Sequence, residues 1–99
     1  MQLSELDKLK NTVINELNTI ESIEIIDYVN GKLTAINHSI NKAITLSNND
    51  ELDQQAITDL SQFCSDRLEL FRNSPNELDK GMADGYKLAK NVILGNYQV

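Results

Sequence analysis

The only thiol and the only imidazole of this 99-residue chain belong to Cys64 and His38. A cysteine nucleophile needs a histidine in contact with it and a third group that orients that histidine. Cys64 recurs at helical spacing with the apolar Leu60 and Phe63, so we expect it to be a small buried hydrophobe. His38 lies off the apolar spacing of its own segment, so we expect it on the surface. A structural zinc site needs about four nitrogen or sulfur ligands, which these two residues cannot supply. We therefore predict that the protein is not an enzyme and holds no metal or cofactor.

Carboxylates are the more abundant chemical groups, and they concentrate in one segment. Asp59, Gln62, Asp66 and Glu69 recur at steps of three and four, which places them on one face of a helix. Residues 50–69 hold six acids and a single base, so most of the net charge of −6 resides there. We call Asp59, Gln62, Asp66 and Glu69 the acidic strip. It is either an ordinary solvated helix face or a surface that docks a basic protein, including a groove that otherwise binds nucleic acid.

The overall charge narrows the choice of partners. A net charge of −6 and a pI of about 4.6 argue against direct binding of nucleic acid, which needs a basic surface. A single cysteine excludes an internal disulfide and fits a reducing cytosol. The N-terminus has no apolar leader, and no stretch approaches the roughly 18 apolar residues that span a bilayer. We expect a cytoplasmic protein that binds another protein and no membrane.

Six apolar residues recur at steps of three and four through the middle of the chain, and we call them the apolar seam: Ile26, Val29, Leu33, Ile36, Ile40 and Ile44. This spacing keeps one face against a partner helix over several turns. A helix from 22 to 47 would be about 39 Å long at ~1.5 Å per residue, which is long for so small a bundle. Either it breaks at Gly31, or its surplus length is buried against a second copy in a homodimer. Asn30-Gly31 is also a strong hairpin signal, so a β-hairpin stays open at this point.

Capping residues divide the chain into four helical segments at about 4–20, 22–47, 50–73 and 75–94. Ser4, Asp50 and Ser74 are the expected N-caps, with Pro75 at the first helical position of the last segment. Gly95 offers a left-handed C-cap. The prediction is an all-α fold: one domain over 1–99, an antiparallel bundle of three to four helices, or a two-chain bundle.

The last segment contains two glycines four residues apart, Gly81 and Gly85, followed by Ala89. Two glycines inside a helix cost about 2 kcal/mol relative to alanine. Small residues on one face allow another backbone to approach closely. The approaching element is either a neighbouring helix of the same chain or a partner.

Residues 81–90, which include Gly85-Tyr86-x-x-Ala89, resemble the closing helix of small phage-encoded accessory proteins. The segment covers about a tenth of the chain. A composition rich in Asn and Ile and poor in Ala, typical of AT-rich genomes, agrees with this resemblance. The resemblance implies a role directed at a host or defence factor, with no catalytic residues to transfer.

Three kinds of function follow from these features. The leading prediction is a modulator or inhibitor that acts by stoichiometric binding of another protein and that itself associates as a homodimer. The alternatives are a structural homo-oligomer and a protein that sequesters a small ligand such as a nucleotide between helices. In the last case we expect Tyr28, Tyr86 or Lys87 to line the pocket.

Overall fold

The structure is a computed structural model that describes residues 1–95, apart from the side chain of Glu24. It contains four α-helices: α1 (Ser4–Asn18), α2 (Ile23–Leu46), α3 (Gln54–Phe71) and α4 (Glu77–Ile93). The predicted all-α bundle is confirmed. Among the described residues, extended pairing is limited to single bridges that involve Glu51. No helix within residues 1–95 combines the length and apolar character that a membrane span requires.

Helix α2 runs without a break through Asn30-Gly31 for 24 residues. The hairpin alternative is therefore wrong, and the helix does not break at Gly31. The reason is a tertiary contact, because the backbone of Gly31 packs directly against α4. A methyl group there would fall inside van der Waals contact with the Leu78 carbonyl and 2.9 Å from the backbone nitrogen of Met82. Gly31 serves close packing instead of a turn.

The predicted N-cap of α3 is corrected from Asp50 to Asp53. The Asp53 carboxylate accepts a hydrogen bond from the backbone N–H of Ala56 at 2.8 Å. Asp50 belongs to the preceding turn, where Asn49 and Asp50 have positive φ angles of 53° and 61°. That turn is held by the N-terminus, because the Leu3 N–H donates to the Asp50 carbonyl at 3.1 Å.

The start of α4 also differs from the expected Ser74-Pro75. The Asn76 side chain is the cap, and it accepts from the N–H groups of Leu78 at 2.8 Å and Asp79 at 3.2 Å. The Ser74 hydroxyl still contributes, because it donates to the Asp79 carboxylate at 2.9 Å. Pro75 thus precedes the helix instead of opening it.

The other two expected caps give one correction and one confirmation. Helix α1 begins at Ser4 itself with Leu3 at the N-cap position, and no side chain caps that end. Gly95 has a φ of 77° directly after the C-cap residue Leu94, and its N–H donates to the Val92 carbonyl at 3.1 Å. This is the left-handed glycine that the sequence predicted.

The apolar seam is largely used inside one chain. Val29 and Ile36 are fully buried, and Leu33 and Ile40 pack against the same core. Only Ile44, at 55% exposure, is open to solvent. Most of the seam is therefore buried within one chain, while its half-buried edge and Ile44 remain accessible.

Candidate functional site

The acidic strip forms a continuous exposed face on α3. Its four side chains are all exposed. Asp66 accepts a hydrogen bond from the Gln62 amide at 2.8 Å, and Asp59 accepts one from the Gln55 amide at 2.9 Å. These amide donors are neutral. Neither carboxylate forms an ion pair with a cation among residues 1–95, so no direct partner offsets its negative charge.

The C-terminal end of the strip contains an ion pair and an exposed apolar side chain. At this end Glu69 accepts from the Arg72 guanidinium at 2.6 Å, an exposed pair one turn apart. Leu70 lies beside it and is 70% exposed, one of six large apolar side chains that are exposed among the described residues. The strip therefore combines free carboxylates with one apolar side chain that a partner could bury.

Along its other side the strip borders a small groove between α2 and α3. The groove has a volume of about 340 Å³ and is lined in part by Asp59, Asp66, Phe63 and Lys42. The Lys42 ammonium lies 5.9 Å from the centre of the Phe63 ring, and the Arg67 guanidinium lies 5.1 Å from it. Lys42 comes from α2, so a charge count along the sequence of α3 does not include it. Its cation partly offsets the negative potential of the strip.

A second and larger groove, which sequence reasoning missed, lies between α3 and α4. It has a volume of about 800 Å³, and Tyr28 of α2 contributes to its wall. Four of the nine basic residues of the chain line it, and we call it the basic groove: Arg72, Lys80, Lys87 and Lys90. The signal was present in the sequence, because Lys80, Lys87 and Lys90 recur at steps of seven and three along α4.

Tyr28 and Asp84 are joined across the wall of the basic groove, where the Tyr28 hydroxyl donates a hydrogen bond to the Asp84 carboxylate. Partial burial raises the pKa of the Tyr28 phenol, and the hydrogen bond and charge of Asp84 raise that pKa further. The ring also carries the Lys32 ammonium 5.3 Å from its centre. Lys32 in turn is paired with Glu16 of α1 at 3.0 Å. These contacts link α1, α2 and α4 and fix the position of the phenol.

The raised pKa of Tyr28 predicts a loss of stability in alkali. Above the ordinary phenol pKa of 10.0, the unfolded chain releases the Tyr28 proton while the folded chain retains it. The free energy of unfolding therefore falls as pH rises through and beyond that value. We expect the melting temperature of the wild-type protein to fall more steeply there than that of Tyr28→Phe, which has no proton to release. Thermal melts at a series of alkaline pH values test this, and parallel slopes would contradict it.

Cys64 and His38 do not form a catalytic pair. The Cys64 sulfur is buried 3.5 Å from the hydroxyl of Ser39, and burial raises the pKa of the Cys64 thiol. His38 is exposed at one edge, while its Nδ1 lies 3.0 Å from the hydroxyl of the fully buried Tyr86. Cys64 is therefore in contact with Ser39, and His38 with Tyr86, instead of with each other. Within residues 1–95 no three histidine, cysteine or acidic side chains are grouped as metal ligands.

The ligand pocket expected from Tyr28, Tyr86 or Lys87 is realised only in part. Tyr28 and Lys87 both line the basic groove. Tyr86 does not, because its ring is enclosed between Phe63 and Phe71 at centre-to-centre distances of 6.1 and 6.3 Å. It is the largest fully buried side chain among the described residues.

The two glycines of α4 bring that helix against α2. A methyl group at Gly81 would overlap the Tyr28 carbonyl oxygen and lie 2.8 Å from its carbon. One at Gly85 would lie 2.5 Å from the Lys32 carbonyl oxygen. The approaching backbone is therefore that of the same chain, and this face of α4 is closed to a docking partner.

Comparison of the chain with protein-family models, with curated proteins and with solved structures finds no match.

Proposed function

We propose that this protein acts by stoichiometric binding of another protein that presents a basic surface, and that it thereby modulates or inhibits that protein. The observation that carries this proposal is the exposure of Asp59 and Asp66 on one face, each held by a neutral amide and neither paired with a cation among residues 1–95. Two carboxylates two helical turns apart, about 10.5 Å along the axis, present spaced charge to lysines and arginines of a partner.

Leu70 supplies the apolar element that a specific interface needs. Charge complementarity mainly speeds association and selects the partner, while buried apolar anchors supply much of the affinity. Leu70 lies one turn beyond Asp66 and is already largely exposed. The proposed interface is therefore centred on the second half of α3.

The setting of this activity is part of the proposal. A phage or mobile-element protein that acts in the bacterial cytoplasm on a host or defence factor agrees with the composition and with the resemblance of residues 81–90. The proposal includes a homodimer, in which the half-buried edge of the apolar seam and Ile44 meet a second copy. The alternative is a structural homo-oligomer that has no other protein partner. Light scattering at micromolar concentration tests the self-association, since a dimer has twice the mass of 11.1 kDa and a monomeric mass would contradict it.

Charge reversal on the acidic strip tests the main proposal. We expect the affinity of the variant Asp59→Lys/Asp66→Lys for the partner to fall at least a hundredfold. The reason is that each pair of like charges opposed across an interface costs several kcal/mol. Wild-type and variant proteins are immobilised, and the partner retained from bacterial lysate is quantified by mass spectrometry.

The matched control is Glu21→Lys/Asp27→Lys, which changes net charge equally at exposed positions away from α3. It should retain the partner as the wild type does, and circular dichroism should show all three proteins equally helical. Equal recovery on the strip variant and the wild type would refute the proposal. Loss on both variants would show that net charge, and not the strip, determines binding.

A further inference from the structure

The basic groove is the feature of this molecule that the proposed function does not use. It lies between α3 and α4, whereas the acidic strip occupies the outward face of α3. We infer that the basic groove is a binding site for a small ligand that carries a polyphosphate attached to an organic group, the chemistry of a nucleoside di- or triphosphate.

Positive charge is concentrated around the basic groove. A chain of net charge −6 places four of its nine basic side chains around one groove. Lys87 and Lys90 have no carboxylate within ion-pair distance among residues 1–95. Like charges held together without counter-ions repel one another, and a polyanion between them relieves that repulsion.

The remaining two cations are held only loosely. Arg72 pairs with Glu69 at 2.6 Å and Lys80 with Glu77 at 3.1 Å, each within one turn of its own helix and each exposed. Exposed pairs of this kind contribute little, whereas hydrogen bonds from these cations to phosphate are considerably stronger. Both side chains can therefore turn to a phosphate without a large loss.

The cations of the basic groove lie on two of its walls. Arg72 extends from the end of α3, and the lysines lie along α4. Lys80 and Lys87 are separated by about 10.5 Å along the helix axis, and Lys87 and Lys90 by about 4.5 Å. A chain of two or three phosphates can span such positions, while a single inorganic phosphate would reach one or two of them.

The basic groove also has an apolar portion. Leu68, Ala83 and Leu94 share its lining with the cations, and Leu94 is half exposed. Its volume of about 800 Å³ lies within the range of small-molecule sites, about 300 to 1,000 Å³. These residues give an organic group a surface to cover, which bare polyphosphate would leave open.

Asp84 is the one acid among the residues that line the groove. The Tyr28 hydroxyl that it accepts is a neutral donor and does not cancel the charge of the carboxylate. The lining still has four cations against this one carboxylate, so positive charge predominates there. A long nucleic acid is disfavoured, because it would extend beyond the groove and meet the negative surface of the rest of the chain.

Titration calorimetry with ATP and with inorganic tripolyphosphate, without magnesium and at low salt, tests the inference on the full-length chain. We expect both probes to bind at one site per chain, and ATP to bind more tightly because its organic group covers the apolar lining. Lys87→Gln/Lys90→Gln should weaken both probes about a hundredfold, roughly tenfold for each charge-assisted contact removed. The single substitution Lys87→Gln, at an exposed position, should weaken the binding of both probes about tenfold. This variant keeps the test valid if the half-buried Lys90 is needed for folding.

The control variant Lys8→Gln/Lys10→Gln removes the same charge from α1 and should bind both probes within about twofold of the wild type. Three results would overturn the inference: no heat with either probe up to about 1 mM, equal weakening in the control, or binding of an acidic peptide or an oligothymidylate in place of both probes. If tripolyphosphate binds as tightly as ATP, the inference that the apolar lining of the groove binds an organic group is wrong. The acidic-strip variant Asp59→Lys/Asp66→Lys should bind ATP normally, so this inference and the proposed protein interface can fail independently.

Discussion

Gly81→Ala is expected to lower the free energy of unfolding by about 2 to 3 kcal/mol, although alanine is the better helix former by about 1 kcal/mol. The added methyl group would overlap the backbone of Tyr28 and lie 3.1 Å from the Cα atom of Gly31. No side-chain rotation can relieve contacts with backbone atoms, so α2 and α4 must separate along their crossing. For a chain of this size we expect the melting temperature to fall by roughly 10 to 20 °C, measured by thermal circular dichroism.

The sign of the change makes this experiment decisive. Helix propensity alone predicts that Gly81→Ala raises the melting temperature. Lys87→Ala, an exposed position on the same helix, serves as the control and should change the free energy of unfolding by less than about 0.5 kcal/mol. A more stable Gly81→Ala protein would contradict the close α2–α4 crossing.

Tyr86→Ala is expected to destabilise the protein by about 4 kcal/mol, the largest effect of any single substitution considered. The ring is fully buried and packs edge-on against Phe63 and nearly parallel to Phe71. Removing the ring leaves a cavity among three helices, and alanine makes no contact that replaces the lost packing. Chemical denaturation should show a lower midpoint with little change in the slope of the transition.

Tyr86→Phe separates packing from hydrogen bonding at the same position. It keeps the ring and removes only the hydroxyl that lies 3.0 Å from Nδ1 of His38. We expect a loss of about 1 kcal/mol, typical of one hydrogen bond. If phenylalanine were as damaging as alanine, the hydroxyl and not the aromatic packing would dominate the stability of this core.

The number of helices could be predicted from the sequence, because the apolar spacing of each segment is long and regular. The exact helix starts could not. Several residues that can cap a helix stand close together, as Asp50 and Asp53 do before α3. The choice between them is made by the N-terminus, since the Leu52 N–H donates to the Met1 carbonyl at 2.7 Å and Leu3 bonds to Asp50. Contacts between positions about fifty residues apart leave no local signal.

Gly31 shows the same limit in another form. Its pairing with Asn30 is a strong local turn signal, yet its packing partner Leu78 lies in α4. The glycines at 81 and 85 correctly indicated a close helix approach, while the sequence could not name the helix that approaches.

The candidate sites divide along similar lines. The acidic strip lies within one helix, so its spacing is visible in the sequence, and all four of its side chains are exposed. The basic groove is assembled from α2, α3 and α4, and its lysines are seven and three residues apart with Arg72 contributed from another helix. The spacing of the three lysines within α4 is visible in the sequence, whereas the arrival of Arg72 from another helix is not.

The protein interface proposed for the acidic strip is tested by titrating the purified partner, recovered from lysate, against wild-type protein and against Asp59→Asn/Asp66→Asn. Asparagine keeps the shape and the amide contacts of each aspartate while removing its charge, so packing changes are minimised. We expect a stoichiometric complex whose affinity falls at least tenfold in the variant, and a wild-type affinity that weakens as salt is raised. An affinity that is unchanged in the variant and insensitive to salt would contradict it.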